Sequence, residues 1–159
     1  TVKIPKGVDD GTRIRVSGKG EAGSKGGANG DLYLFISIDN HSIFKRSEEN
    51  LYYELPISFS DAALGTSVEV PSIDGGKSKI KIPAATQHGK QFRLKGKGMP
   101  VLRRNIFGDL YIRIITQVPT SLSKRQKEIL EEFHTIESGK PDPIIKSFFE
   151  KAKKFWKNS

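Results

Sequence analysis

Cysteine is absent from the 159 residues, which removes disulfides, thiolate nucleophiles and thiolate zinc sites from anything these residues do. A cytoplasmic setting fits that composition. No apolar run approaches the roughly 20 residues that a helix needs to cross a bilayer, which excludes a helical membrane span. The N-terminus lacks a charged segment followed by an apolar stretch and a small-residue cleavage site, so the chain does not read as a secretory precursor. His41, His88 and His134 stand far apart, without i, i+4 pairing or a neighbouring carboxylate cluster, and offer no metal site. No serine sits in a nucleophile-elbow setting. The carboxylate pairs Glu48-Glu49 and Glu131-Glu132 fall in turn-like or helix-surface contexts, where solvated charge is the ordinary outcome. No catalytic residue is assigned, and the chain does not read as an enzyme.

What is present is β-prone and basic. Val, Ile, Leu and Phe make up 27% of the chain, above the roughly 20% below which chains tend to stay disordered. Ile outnumbers Leu by 17 to 10, and β-branched side chains favour strands. The net charge of +9 raises nucleic acid or an anionic membrane as partners. The excess is spread, at +2 over residues 1–45, +4 over 46–120 and +3 over 121–159. Only Lys90 to Arg104 forms an acid-free basic run, and a solvated surface is its simplest reading, a phosphate-binding face the sharper one.

The most informative feature is an internal repeat. Lys3-Ile4-Pro5 recurs as Lys81-Ile82-Pro83, Gly18-Lys19-Gly20 as Gly96-Lys97-Gly98, and Gly30-Asp31-Leu32-Tyr33 as Gly108-Asp109-Leu110-Tyr111. With Gly11/Gly89, Arg15/Arg93 and Ile36/Ile114 there are 13 identities at a constant offset of 78 residues. The shared unit reads as strand, turn, strand, Gly-rich loop, strand, in an antiparallel sheet packed on a second sheet. Before Ile82, Leu51–Ile57 and Val68–Val70 read as two further strands joined by a turn through Asp61-Ala62-Ala63. Their counterparts in the first repeat fall before Thr1, so about 28 residues of that repeat are expected to precede this chain. Gly18-Lys19-Gly20-Glu21-Ala22-Gly23 matches a dinucleotide fingerprint, but Ser24 to Gly30 cannot open the helix that the mechanism needs.

After Pro119 the pattern turns helical. Ser123 and Gln126 read as a capping box, followed by an apolar stripe of Ile129, Leu130 and Phe133. A second amphipathic helix starts at Ile144 and carries its lysines off the apolar stripe. Both stripes need a cover, by packing on the β region, by self-association, or for the last helix by a membrane surface. The expected class is mainly β. Two tandem small β-sandwich-like domains, 1–43 (truncated) and 44–119, precede a helical tail over 120–159.

Large apolar side chains on strands, Ile14, Val16, Phe35, Phe59 and Phe92, are core by default. Phe44, at the junction of the repeats and flanked by charge, is the better candidate for lining a groove. An exposed strand edge beside such a groove can receive an extended peptide.

These stretches together resemble the C-terminal, client-binding portion of bacterial DnaJ-type co-chaperones. The resemblance is carried by Thr1–Val8, Arg13–Gly23, Gly30-Asp31-Leu32-Tyr33, His41-Ser42-Ile43-Phe44-Lys45-Arg46, Ala63-Leu64-Gly65, Gly89–Gly98 and Lys124-Arg125-Gln126, and it covers about residues 1–157. It implies two β-rich C-terminal domains, with a Cys-rich zinc module whose ligands lie outside this chain; no cofactor is expected within it. The J-domain's His-Pro-Asp signature, through which the family stimulates a DnaK-type chaperone, does not occur in these residues. By the same resemblance, unfolded apolar polypeptide is the partner, bound in a groove lined by Ile14, Val16 and Phe44. Phe92 and Leu94 are their equivalents in the second repeat. The family dimerises through its C-terminal segment, which fits Ile129, Leu130 and Phe133 and the last helix. The expected activity is ATP-independent holding of unfolded segments by a cytoplasmic homodimer, with neither membrane nor nucleic acid as partner. The alternatives are a basic nucleic-acid-binding β-domain and a purely structural dimerisation module. A charge at position 44 is expected to weaken peptide binding and leave the fold intact.

Overall fold

The computed structural model describes all 159 residues. It is mainly β with C-terminal helices, and it divides into two compact units, Thr1–Val118 and Pro119–Ser159. The sequence division at residues 43 and 44 falls inside the first unit.

In chain order the first unit holds β1 (Arg13–Val16), β2 (Leu32–Phe35), β3 (Lys45–Ser47), β4 (Asn50–Ser58), α1 (Phe59–Leu64), β5 (Thr66–Pro71), β6 (Lys77–Ile82), β7 (Gln91–Leu94) and β8 (Leu110–Gln117). β1 and β2 form a hairpin. β3-β4-β8-β7 make a four-stranded sheet, and β5-β6 make a second hairpin. Alternation decides which faces are buried: Leu51, Tyr53 and Ile57 on β4, and Leu110, Ile112 and Ile114 on β8, point inward with polar or half-exposed residues between them. They close on Val70, Ile80 and Ile82 of the β5-β6 hairpin and on Ala62 of α1, giving one continuous apolar core.

Two expectations change. The pairing of β4 with β8 is parallel, from Leu51 against Leu110 to Ser58 against Gln117, although the sequence reads as wholly antiparallel. A parallel pair needs a long crossover, and α1, β5, β6 and β7 supply one. The expected turn through Asp61-Ala62-Ala63 is the helix α1, with Ser58 as N-cap accepting from the Asp61 amide at 3.1 Å and Asp61 in its first turn.

The 78-residue repeat holds in three dimensions. β1 pairs with β2 in the register in which β7 pairs with β8: Ile14 faces Leu34 as Phe92 faces Ile112, and Val16 faces Leu32 as Leu94 faces Leu110. Each repeat closes its Gly-rich loop with the same clamp. Asp31 takes the Gly18 amide at 3.0 Å and the Arg15 Nε at 2.6 Å; Asp109 takes the Gly96 amide at 2.9 Å and the Arg93 Nε at 2.7 Å. Gly18 and Gly96 sit at φ of 68° and 73°. That left-handed conformation aims the amide at the carboxylate, and a side chain would disfavour it.

The burial of the two repeats differs. Leu110 and Ile82 are 0% and 1% exposed, while their counterparts Leu32 and Ile4 are 40% and 54% exposed. The second repeat has β4 and the β5-β6 hairpin above it, and residues 1–43 hold no equivalent layer. For the same reason the expected strand at Lys3-Ile4 is not formed. β6 is a strand because it pairs with β5, and Ile4 has no such neighbour.

In the second unit, α2 (Lys124–Gly139) begins with the predicted capping box, Ser123 accepting from the Gln126 amide at 3.2 Å and Gln126 Oε1 from the Ser123 amide at 2.8 Å. α3 (Pro143–Lys157) has Asp142 as N-cap, a proline at its start and Lys154 and Lys157 in its last turn. Ile144, Ile145, Phe148, Phe149, Phe155 and Trp156 share one side of α3 at helical spacing, and all are more than half exposed. No helix is long and apolar enough to cross a membrane.

The clamps carry a pH signature. The Gly96 amide is the main cause holding the Asp109 carboxyl below its ordinary value of 3.8, with Arg93 adding and desolvation opposing; Gly18 and Arg15 do the same for Asp31. A depressed folded-state pKa gives stability that is complete above the ordinary value and lost as pH falls through the folded one. The urea midpoint is therefore expected to drop between neutral pH and strongly acid pH, and Asp31→Asn/Asp109→Asn should flatten that acid limb while lowering the neutral value. Parallel acid limbs in the two proteins would remove the clamps as its source.

Candidate functional site

The segment Gly7–Asp10 crosses in front of β3 and β4, and one side chain holds it there. Arg46 donates from Nη1 to the Val8 carbonyl at 2.7 Å, from Nη2 to the Gly7 carbonyl at 3.2 Å and from Nε to the Glu48 carbonyl at 2.7 Å. Its five donors sit in a rigid fork, which suits tying several acceptors at once. Asp10 then fixes the returning strand by accepting from the Ile38 amide at 2.9 Å. The chain turns at His41, whose Nδ1 accepts from the amides of Ile43 at 3.0 Å and Phe44 at 3.3 Å.

Between these elements lies a cavity of about 800 Å³, open to solvent, with Val8, Ile38, Phe44, Leu51, Ile73 and Met99 as its apolar walls. Asp9, Asp10, Asp39, Lys45 and Arg46 mark its polar rim. Ile38 and Ile73 keep 40% and 38% of their surface exposed. The arrangement suits capture of aliphatic or aromatic side chains, with backbone and charged groups on the rim to orient a chain. No group of three or more His, Asp or Glu stands where it could hold a metal ion.

Phe44 forms the cavity's inner wall, but as a core residue. It is 6% exposed and meets His41 and Tyr53 edge-on, each at 5.2 Å between ring centres. Tyr53 in turn donates to the Pro71 carbonyl at 3.4 Å, and burial pushes its hydroxyl up to about 12. The expectation that a charge at position 44 leaves the fold intact is therefore corrected. Lys45 and Arg46 made the position look exposed, yet Arg46 points at backbone carbonyls rather than into water.

The other sequence-derived residues lie elsewhere. Ile14 and Val16 are half-buried on the inner side of β1, beside Leu34 and Leu32, and do not line the cavity. Phe92 and Leu94 occupy the equivalent places on β7 and pack against the core. Ile129, Leu130 and Phe133 lie on α2 at 48%, 36% and 45% exposure. Within the basic run, Arg93 is committed to Asp109 and lies 6.0 Å from the Tyr111 ring. Sequence reasoning missed Val8, Ile38, Ile73 and Met99 as wall residues. They come from four separate segments, and no local pattern in the sequence joins them.

Residues 1–119 match the family described as the DnaJ C terminal domain, and residues 125–158 match the one described as the chaperone protein DnaJ C-terminal region. The chain is 67% identical over 158 residues to a protein named chaperone protein DnaJ from Pelagibacter ubique strain HTCC1062, covering 99% of this chain and 42% of that protein. Proteins of the same name from Xanthobacter autotrophicus and Brucella anthropi are each 53% identical, over 100% and 98% of this chain and 42% and 41% of their own lengths. The chain thus spans about two fifths of the curated relatives it matches.

Phe44→Ala should lower stability by about 3–5 kcal/mol in urea unfolding, as loss of a buried phenylalanine does, and Phe44→Asp should fail to fold. A Phe44→Asp protein with a native circular dichroism spectrum and urea midpoint would return this side chain to the exposed wall.

Proposed function

The chain belongs to the DnaJ C-terminal domain family, and from that membership we propose that it holds unfolded polypeptide by its apolar side chains, without ATP, for a DnaK-type chaperone in the cytoplasm. The observation that carries the reading is the open cavity between the repeats, with Ile38 and Ile73 partly exposed at its mouth and Val8 and Met99 inside it. Burial of one client side chain of leucine or phenylalanine size is worth roughly 1.5–3 kcal/mol, so a single site binds weakly. Two sites tethered in a homodimer raise avidity without new contacts. The exposed stripes of α2 and α3 support such an assembly, since short amphipathic helices gain stability by burying that face. Discrimination between clients is loose, because apolar pockets separate side chains one methylene apart poorly. Any hand-over to DnaK runs through the J-domain of the family rather than through these residues.

Ile38→Asp tests the site without touching the core. Fluorescence anisotropy with a labelled Leu/Phe-rich peptide should show affinity falling about tenfold or more, as loss of one buried aliphatic contact requires. The urea midpoint should stay near wild type, and wild-type binding should persist as salt rises. Unchanged affinity in this variant would move the client site off the cavity. Removing residues 121–159 should convert a dimer into a monomer in sedimentation velocity, and a dimer that survives the deletion would place the interface in the first unit.

A further inference from the structure

The loop joining β7 to β8 exposes two large apolar side chains, Ile106 at 52% and Phe107 at 55%. It is an ordered structure. The Val101 amide donates to the Ile106 carbonyl at 2.9 Å, the Arg104 amide to the Val101 carbonyl at 3.1 Å, and Pro100 pairs with Phe107 as an antiparallel bridge. Its base lies against Gly7, where a Cβ would run into the Pro100 carbonyl and the Leu102 amide. Between this loop and Pro5-Lys6 is a concavity of about 350 Å³. Lys6, Arg103 and Arg104 line it, no acidic residue does, and none of the three is ion-paired. On the strands, by contrast, Arg15 and Arg93 are each tied to an aspartate. The equivalent loop of the first repeat, Glu21 to Asn29, keeps one cation, Lys25 at the place of Arg103, but has Gly26 where Arg104 stands and Ala28 and Asn29 where Ile106 and Phe107 stand.

We propose that this concavity is a docking site for an acidic peptide segment, one carboxylate seated among Lys6, Arg103 and Arg104 and the flanking aliphatic side chains resting on Ile106 and Phe107. Charge complementarity selects the anion, and guanidinium groups bind carboxylates through paired donors. The apolar flank selects peptide over nucleic acid. Ile106 and Val101 are aliphatic and Phe107 is the single ring in the lining, too few for successive bases to stack, and the arginine that would extend a phosphate-binding line, Arg93, is held by Asp109. The site shares none of its lining with the cavity at Phe44, and its salt dependence is opposite to that of apolar capture.

The test uses the whole 159-residue chain and a short fluorescein-labelled peptide alternating aspartate and isoleucine. Binding at low salt is expected, with loss as salt rises and no binding of the version carrying lysine for aspartate. Lys6→Glu/Arg104→Glu alters only exposed side chains and should weaken the acidic peptide about tenfold, while the Leu/Phe-rich peptide binds as before. Arg103→Gln/Arg104→Gln should move affinity in the same direction, which guards against misfolding of the charge-reversed variant. Equal affinity of the acidic peptide for wild type and both variants would overturn the proposal. So would a single-stranded oligonucleotide that binds more tightly than the peptide and loses its binding in the variants, which would assign the cations to phosphate.

Discussion

The chain depends on a single arginine fork. Arg46 stands where the first repeat ends and the second begins, and its three hydrogen bonds run to carbonyls of Gly7 and Val8 in one repeat and of Glu48 in the other. The bonds to Gly7 and Val8 are half-buried, where an acceptor left without a donor is costly, and the one to Glu48 is exposed, so the fork's main effect is to hold the two repeats together. The cavity exists because of this fixing. Val8 comes from the segment the fork holds, Phe44 and Leu51 from the strands beside it, and Ile38 from the strand end that Asp10 ties to the same segment.

The two repeats share a backbone design and differ in what covers it. The Asp-Arg-Gly clamp sets the loop geometry in both, and the amide bonds flanking it recur at the same offset, as in Gly20 to Gly30 and Gly98 to Gly108. Even the strand-end contact is preserved while its chemistry changes: Asp10 accepts from the Ile38 amide, and at the matching place the His88 imidazole accepts from the Thr116 amide at 3.1 Å. Within these residues the core forms on the second repeat, because burial needs a second layer and residues 44–82 supply one there. Apolar identity at Leu32 and Leu110 is the same, and exposure is decided by neighbours.

Local pattern made much of this legible. The alternation in Lys79–Ile82 and Gln91–Leu94, the 78-residue offset, the Ser123/Gln126 box and the stripe of α3 each have a short-range cause, and each is found where the residues put it. The parallel contact of β4 with β8 was not legible, since it depends on how a crossover of some fifty residues folds back. α1 is too short for helical periodicity to register. Phe44 was misread for a physical reason. Charged neighbours ordinarily mark a solvated segment, but the half-buried Arg46 guanidinium is aimed at backbone carbonyls, so its charge did not mark an exposed position.

The same offset shows what stands at the end of the second repeat in place of the junction. Moved by 78 residues, Phe44 falls on Leu122 and Arg46 on Lys124. Leu122 is 41% exposed, and Lys124 is the first residue of α2. A lysine is a point charge on a flexible stem and cannot fasten three carbonyls as a planar fork does. There is also no third repeat to provide them, because the chain leaves the sheet for a helix at that point. The second repeat therefore folds its apolar face into a core, with Phe92 and Leu94 packed upon it. At the junction, where two repeats meet without fully closing, Ile38 and Ile73 keep apolar surface accessible beside the cavity. Arg46 fastens the segment that carries Val8 against the strands that carry Phe44 and Leu51, and the cavity is bounded by those pieces.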